Sequence, residues 1–296
     1  MKRAAVILAI SFAAFTGAQS NGQTAQQNPP AAAGQAAAPA ARRPPQAKTQ
    51  QEFDAYNAAA ANTDPAAMEK AADDFAAKFP NSEIRILLYQ TAMRLYQNAN
   101  NGEKTEAMGR KVLSFDADNP EALVTVAEVI AERTRDTDID KDQRYAEGAS
   151  MAQKATQTIN TDVAAFPAGT TQEKIDAYKG FLLSNAYSIL GALEFKKENY
   201  PAAQEDLQKS IDAFPSNPDP VVVLRLALAI DKQATATVDQ DKQQKLYAEA
   251  LKVARRAVEM TQDNTPIGTP ARSERDRLQK LTESAAPAPP QPAPKN

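Results

Sequence analysis

Between Ser184 and Pro215 the chain reads SNAYSILGALEFKKENYPAAQEDLQKSIDAFP, two amphipathic runs hinged at Glu198-Asn199. Tyr187, Leu190, Gly191 and Leu193 recur at helical spacing before the hinge, and Ala203, Leu207, Ser210 and Ile211 do so after it. Small residues stand where two helices must approach closely, and larger ones fill the gaps beside them. A single pair of this kind cannot bury both of its apolar stripes, so pairs must stack on one another.

The order of residues within the stretch is also informative. Tyr187 comes first, followed by Leu190-Gly191, then Ala203 and Leu207 as the small and large positions of the second helix, with Pro215 closing the unit. In this the stretch resembles a tetratricopeptide repeat, with Glu194 where that family usually has tyrosine. Tyr89, Ala92, Met93 and Tyr96 hold the same relative positions in an earlier segment, and there the fourth position is the usual tyrosine. The resemblance implies an all-α fold: a right-handed superhelical solenoid of about five antiparallel helix pairs plus a C-terminal capping helix.

An internal match supports repetition independently of any family. The runs Tyr145–Ala155 and Tyr247–Ala257 share Tyr, Ala, Glu, Ala and Ala, with Lys154 opposite Arg256, and each follows a polar insert. Composition agrees. Hydrophobic residues make up 43% of the chain but aromatics only 6%, a profile that suits close-packed helices better than sheets.

In chain order, Lys2-Arg3, the apolar run Ala4–Phe15 and the small residues Thr16 and Ala18 read as a secretory signal over 1–18. The run is too short to span a bilayer, which takes about 20 residues. No cysteine follows it to carry a lipid. The mature chain is therefore expected to be periplasmic or secreted, with no integral membrane span. Residues 19–49, rich in Gln, Ala and Pro, read as a disordered linker; 50–284 as the repeat domain; and 285–296 as a Pro-rich tail. Within the domain, helices are expected over 51–61, 65–79, 83–98, 103–115, 121–133, 143–159, 172–197, the two runs of the hinged stretch, 221–232, 242–261 and 269–283.

The chain has no cysteine and no histidine, which removes disulfides, thiol chemistry and the commonest general base and transition-metal ligand. Formal charge is −3 and becomes more negative by two if Lys2 and Arg3 leave with the signal. Nothing here resembles the electrostatic footprint of a nucleic-acid binder. No phosphate loop, dinucleotide fingerprint or nucleophile elbow is present, and neither a catalytic residue nor a cofactor is implied. The scattered carboxylates read as solvated helix faces, because lysines and arginines are interleaved among them at helical spacing, as in Glu194 with Lys197 and Lys252 with Arg256.

One loop has ligand-like spacing. Asp136, Asp138, Asp140 and Glu147 fall at the first, third, fifth and twelfth places of an EF-hand-type calcium loop. However, Lys141 occupies the sixth place, where the turn asks for glycine. The better reading is a solvated loop capping the following helix.

Tetratricopeptide proteins commonly hold a peptide or helix in a concave groove lined by the first helix of each pair, and the resemblance implies the same here. By register with Gly191 the groove would present Asn185, Ser188, Ala192, Phe195 and Lys196. Leu87, Gln90, Arg94, Gln97 and Asn98 would come from the second pair, Glu121, Val124 and Glu128 from the third, and Leu224 and Leu228 from the fifth. Polar members would suit the backbone or terminal carboxylate of a bound peptide, while Phe195, Leu224 and Leu228 would take an apolar side chain or else pack in the core. The expected function is a non-catalytic exported scaffold for protein–protein interaction in the bacterial cell envelope. The alternative is an accessory factor holding an unfolded or apolar client during envelope assembly, and the run FAAKFPNS at 75–82 resembles such factors.

Overall fold

Side chains that stop and start helices divide the chain at regular intervals. Thr49, Asp64, Asn101, Asn119 and Asp239 each accept a hydrogen bond from a backbone N–H three residues on, and Asp219 from one two residues on. These caps satisfy donors that a helix start leaves unpaired. Proline stands in the first turn after Asp64, Asn119, Asn199 and Asp219, where its missing N–H costs nothing.

A computed structural model describes residues 44–160, 166 and 169–284. The expected signal 1–18, most of the expected linker, part of the insert before Gln172 and the tail 285–296 lie outside the described residues. Eleven helices occur among those described: α1 (Gln50–Ala60) and α2 (Pro65–Lys78), α3 (Arg85–Asn98) and α4 (Gly102–Phe115), α5 (Pro120–Arg133) and α6 (Lys141–Thr158), α7 (Gln172–Lys196) and α8 (Tyr200–Ala213), α9 (Pro220–Ala236) and α10 (Gln240–Glu259), and α11 (Gly268–Ser284). No strand occurs among the described residues. Each helix packs on the next in sequence, and α1 also meets α3, α5 meets α7 and α7 meets α9. The architecture is the expected all-α stack of five antiparallel pairs closed by a last helix.

Boundaries fall within a few residues of those read from the sequence. α9 differs most, running to Ala236 rather than Lys232, because Ala234 lies fully buried one turn beyond Ile230 and extends the core stripe. α6 begins at Lys141, two residues early.

The pair that anchors the sequence argument packs as its small residues require. A Cβ at Gly191 would lie 2.6 Å from Leu207 Cγ, so the glycine is what lets α8 sit down on α7. Ser184 and Ser210 meet further along the same seam, 3.1 Å apart. Gly109 serves in the same way between pairs, since a Cβ there would come within 2.5 Å of Val126 Cγ2 on α5. Buried side chains form three clusters in succession, centred on Met68, Leu88 and Met93, on Leu123, Ala152 and Leu193, and on Leu207, Ile230 and Leu278. Each fully buried Leu or Ile contributes about 1.5–3 kcal/mol, and none of these helices could bury its stripe alone.

The second and fourth pairs also share a turn. Asn100 and Glu198 both take a left-handed backbone, at φ 55° and 60°. In each turn the following asparagine N–H reaches back five residues, Asn101 to the Tyr96 carbonyl and Asn199 to the Glu194 carbonyl, both at 3.0 Å. At the far end α11 buries Ala271 and Leu278 while Ser273, Asp276, Lys280 and Glu283 face solvent. Arg277 on α11 ties back to Asp231 on α9. No helix among the described residues is long and apolar enough to cross a membrane.

Candidate functional site: an inner trough centred on Arg94

Arg94, in the last third of α3, grips Glu121 of α5 with two bonds, Nη2 lying 2.6 Å from Oε2 and Nε on Oε1. A guanidinium and a carboxylate meeting in this two-pronged way make the strongest of the ordinary side-chain pairs. The Glu121 charge holds the Arg94 pKa above its already high ordinary value, against burial that pulls it down, and a hydrogen bond to Tyr178 of α7 adds to the rise. Arg94 also acts electrostatically on Tyr56 of α1, whose phenol burial pushes up while the nearby guanidinium draws it down. Residues from α1, α3, α5 and α7 thus converge on one side chain.

That convergence measures curvature. Packed helices lie about 8–10 Å apart, so a flat row would put α3 and α7 about 20 Å from one another. The Arg94–Tyr178 bond spans that interval with two long side chains, and a curl of the row toward its inner side shortens the span. Arg94 meets groups from four helices yet keeps 45% of its side-chain surface accessible.

The groove residues named from register fall into three groups. Arg94, Gln97 and Asn98 are exposed, Asn185 is half-buried, and Gln97 reaches toward Glu128 of α5. These keep side-chain surface open to solvent. Gln90, Ser188 and Leu224 are instead buried, and Leu228 and Phe195 are half-buried against the C-terminal core. The Phe195 ring also meets Tyr200 edge to face at 5.4 Å. These apolar side chains therefore belong to the packing between pairs, because neighbouring helices cover the side on which they lie. Lys196 is the third case. Its ammonium donates to the Ala131 and Thr134 carbonyls at 2.7 and 3.3 Å and to the Tyr145 hydroxyl at 3.2 Å. It caps the C-terminal end of α5, where helix carbonyls lack partners and positive charge is favoured.

With Arg94 committed to Glu121 and Lys196 to α5, neither cation is left for a peptide's terminal carboxylate. What remains is a polar surface of little net charge: the carboxamides of Gln97, Asn98 and Asn185, and the phenols of Tyr56 and Tyr178. Such groups donate to and accept from peptide backbone. Tyr178 was not among the groove residues read from the sequence. Its spacing of seven residues before Asn185 was the available signal that both share a face.

The acidic loop before α6 does not gather its carboxylates. Residues from Lys141 onward are already helical, the Asp138 carboxylate accepts the Arg135 N–H, and Glu147 turns away to Arg110 on α4 at 2.7 Å. Among the described residues no group of three or more acidic side chains is placed to hold a metal ion. Asp140 precedes α6 but makes no side-chain capping bond, so the loop does not cap the helix in the expected way.

No family model matches the chain, and no curated protein does. Solved structures that it is similar to include the human IFIT1 dimer with m7Gppp-AAAA, at TM-score 0.38 and 14% identity over 74% of this chain, which spans about half (52%) of that one. The assembly chaperone of RpL4, Acl4 (residues 1–338), is similar at TM-score 0.41 and 13% identity over 80% of this chain and 99% of that one. BtubC from P. vanneervenii follows at 0.34 and 12% over 84% and 97%. These are remote likenesses, and no residue role passes from them to this chain.

Proposed function

We propose that the chain is a non-catalytic helical-repeat scaffold whose trough holds an extended, uncharged polar segment of another protein. The observation that carries this reading is the position of Arg94: four helices meet around it, it remains open to solvent, and its charge is already matched by Glu121. A trough walled by carboxamides and phenols supplies hydrogen bonds to backbone without a strong field, which favours polypeptide over a phosphate-rich polymer. Packing of Phe195 and Leu224 against the core weighs against a holder of unfolded apolar clients. The signal-like residues 1–18 support placing this scaffold in the envelope or outside the cell.

The test is a photo-crosslinker incorporated in cells at Asn185 or Asn98 and, as a control, at Glu205 on the outer side. A discrete adduct from the trough positions, lost when Asn98→Trp narrows the trough, supports the reading. Equal capture from Glu205 would overturn it.

A further inference from the structure

The outer helices α2, α4 and α6 balance cations against one another's carboxylates, and α10 does not. On α4, Lys104 pairs with Glu69 of α2 at 2.9 Å, Lys111 with Asp73 of α2 at 3.2 Å, and Arg110 with Glu147 of α6 at 2.7 Å. Each bond joins one outer helix to the next. On α10, by contrast, Lys252, Arg255 and Arg256 are exposed and make no ion pair or side-chain hydrogen bond among the described residues. The helix that follows cannot supply the missing charge. On α11, Asp276 is taken by Arg275 at 2.6 Å and Glu274 by Arg277 at 2.9 Å.

These free cations border a shallow groove between α10 and α11. Two hollows of about 370 and 630 Å³ run along it and share Arg255 and Glu259. Ala248 and Leu251 contribute apolar surface to the larger one, and Thr282 closes its α11 side. The place is also topologically specific. α11 stands where the first helix of a sixth pair would stand, and no second helix covers it among the described residues. That second helix would lie against α11 and beside α10, where α4 lies beside α2. Residues 285–296 contain no Asp or Glu and so cannot supply the carboxylates.

We propose that an acidic amphipathic helix of a partner protein docks in the α10–α11 groove as the outer helix of a sixth pair. Its carboxylates, one turn apart as Glu69 and Asp73 are on α2, meet Lys252, Arg255 and Arg256, and its apolar stripe covers Ala248 and Leu251. This surface is separate from the trough. Nucleic acid fits it less well, because Glu259 and Asp276 interrupt the positive charge and would repel a continuous line of phosphates.

The test uses the full chain and a synthetic amphipathic peptide with glutamates one turn apart beside a leucine stripe. Controls are the same composition scrambled, a single-stranded oligonucleotide of equal charge and vesicles of anionic lipid. Expected is binding of the patterned peptide that weakens about tenfold between about 50 and 300 mM salt, as ion pairs at a surface do. Replacing Lys252, Arg255 and Arg256 together by Gln should weaken it by a further order of magnitude or more, with the melting temperature unchanged. Lys141→Gln with Lys174→Gln should leave binding intact. The proposal is overturned if the patterned peptide does not bind, if the scrambled peptide, oligonucleotide or vesicles bind as well, or if the triple variant binds normally.

Discussion

The Tyr89 hydroxyl donates a 2.7 Å hydrogen bond to the Asp73 carboxylate, joining α3 to α2. Lys111 of α4 completes the group, 3.2 Å from the same carboxylate oxygen and over the Tyr89 ring. Two turns further on, Tyr96, Glu69 and Lys104 repeat it. Three helices are thus fastened by two equivalent tyrosine–carboxylate–lysine groups.

These groups make stability depend on pH at both ends of the scale. Burial pushes the Glu69 and Asp73 carboxyls up, but bonds from tyrosine and lysine outweigh it and hold both below their ordinary values of 4.5 and 3.8. A depressed carboxylate stabilises the fold at neutral pH, and that contribution disappears as pH falls below those values. Tyr96 is pushed up to about 12 by burial and by Glu69. Its contribution is complete below pH 10 and is lost as pH rises toward 12. Urea unfolding across pH should show declines at both ends. Asp73→Asn with Glu69→Gln should flatten the acid limb, and an unchanged limb would contradict this assignment.

Gly191 and Leu207 should behave as one packing unit. Gly191→Ala places a methyl group 2.6 Å from Leu207 Cγ, and overpacking of this kind costs about 1–3 kcal/mol, more than the helix propensity alanine gains. Leu207→Ala alone leaves a void costing about 2–5 kcal/mol. The double variant should lose clearly less than the sum, because the new methyl occupies part of that void. Denaturant titration of the four proteins checks the coupling.

Glu198 holds a left-handed backbone at φ 60° with a side chain that disfavours it. Gly is the usual residue at such a helix end, and the left-handed conformation costs an ordinary residue about 1–2 kcal/mol. Glu198→Gly should therefore stabilise the protein by about 1 kcal/mol, raising the melting temperature by about 2–4 °C in a domain of this size. Scanning calorimetry would detect it.

Lys196 should matter for folding rather than for binding. Lys196→Met keeps the aliphatic stem but removes the ammonium that bonds the last carbonyls of α5 and the Tyr145 hydroxyl. A loss of about 1–2 kcal/mol is expected, with faster amide exchange near Thr134 and Tyr145. Crosslinking from Asn185 in the trough should persist.

Helix existence, order and pairing were legible in the sequence, because the forces that set them are local. A cap such as Asp64 or Asn119 acts on a backbone N–H three residues away, and an apolar stripe repeats within a single turn. The same local logic identified Gly191 as a point of close approach. It also picked out Arg94, Gln97, Asn98 and Asn185, which keep surface open to solvent, beside Gln90 and Ser188, which do not.

It could not decide what those side chains would do. Arg94 meets Glu121 27 positions later and Tyr178 still further along, and Lys196 reaches carbonyls more than 60 residues earlier. Lys252 and Arg256 looked like part of a balanced charged face, as Glu194 and Lys197 prove to be, but no carboxylate among the described residues forms an ion pair with them. Such partnerships depend on how far each helix is offset and rotated against the next, small angles that accumulate along the stack. Sequence alone therefore determined that this chain is a pile of helix pairs with an inner face. The curl of the pile, a property of all its seams together, decided which charges are already matched and which still await a partner.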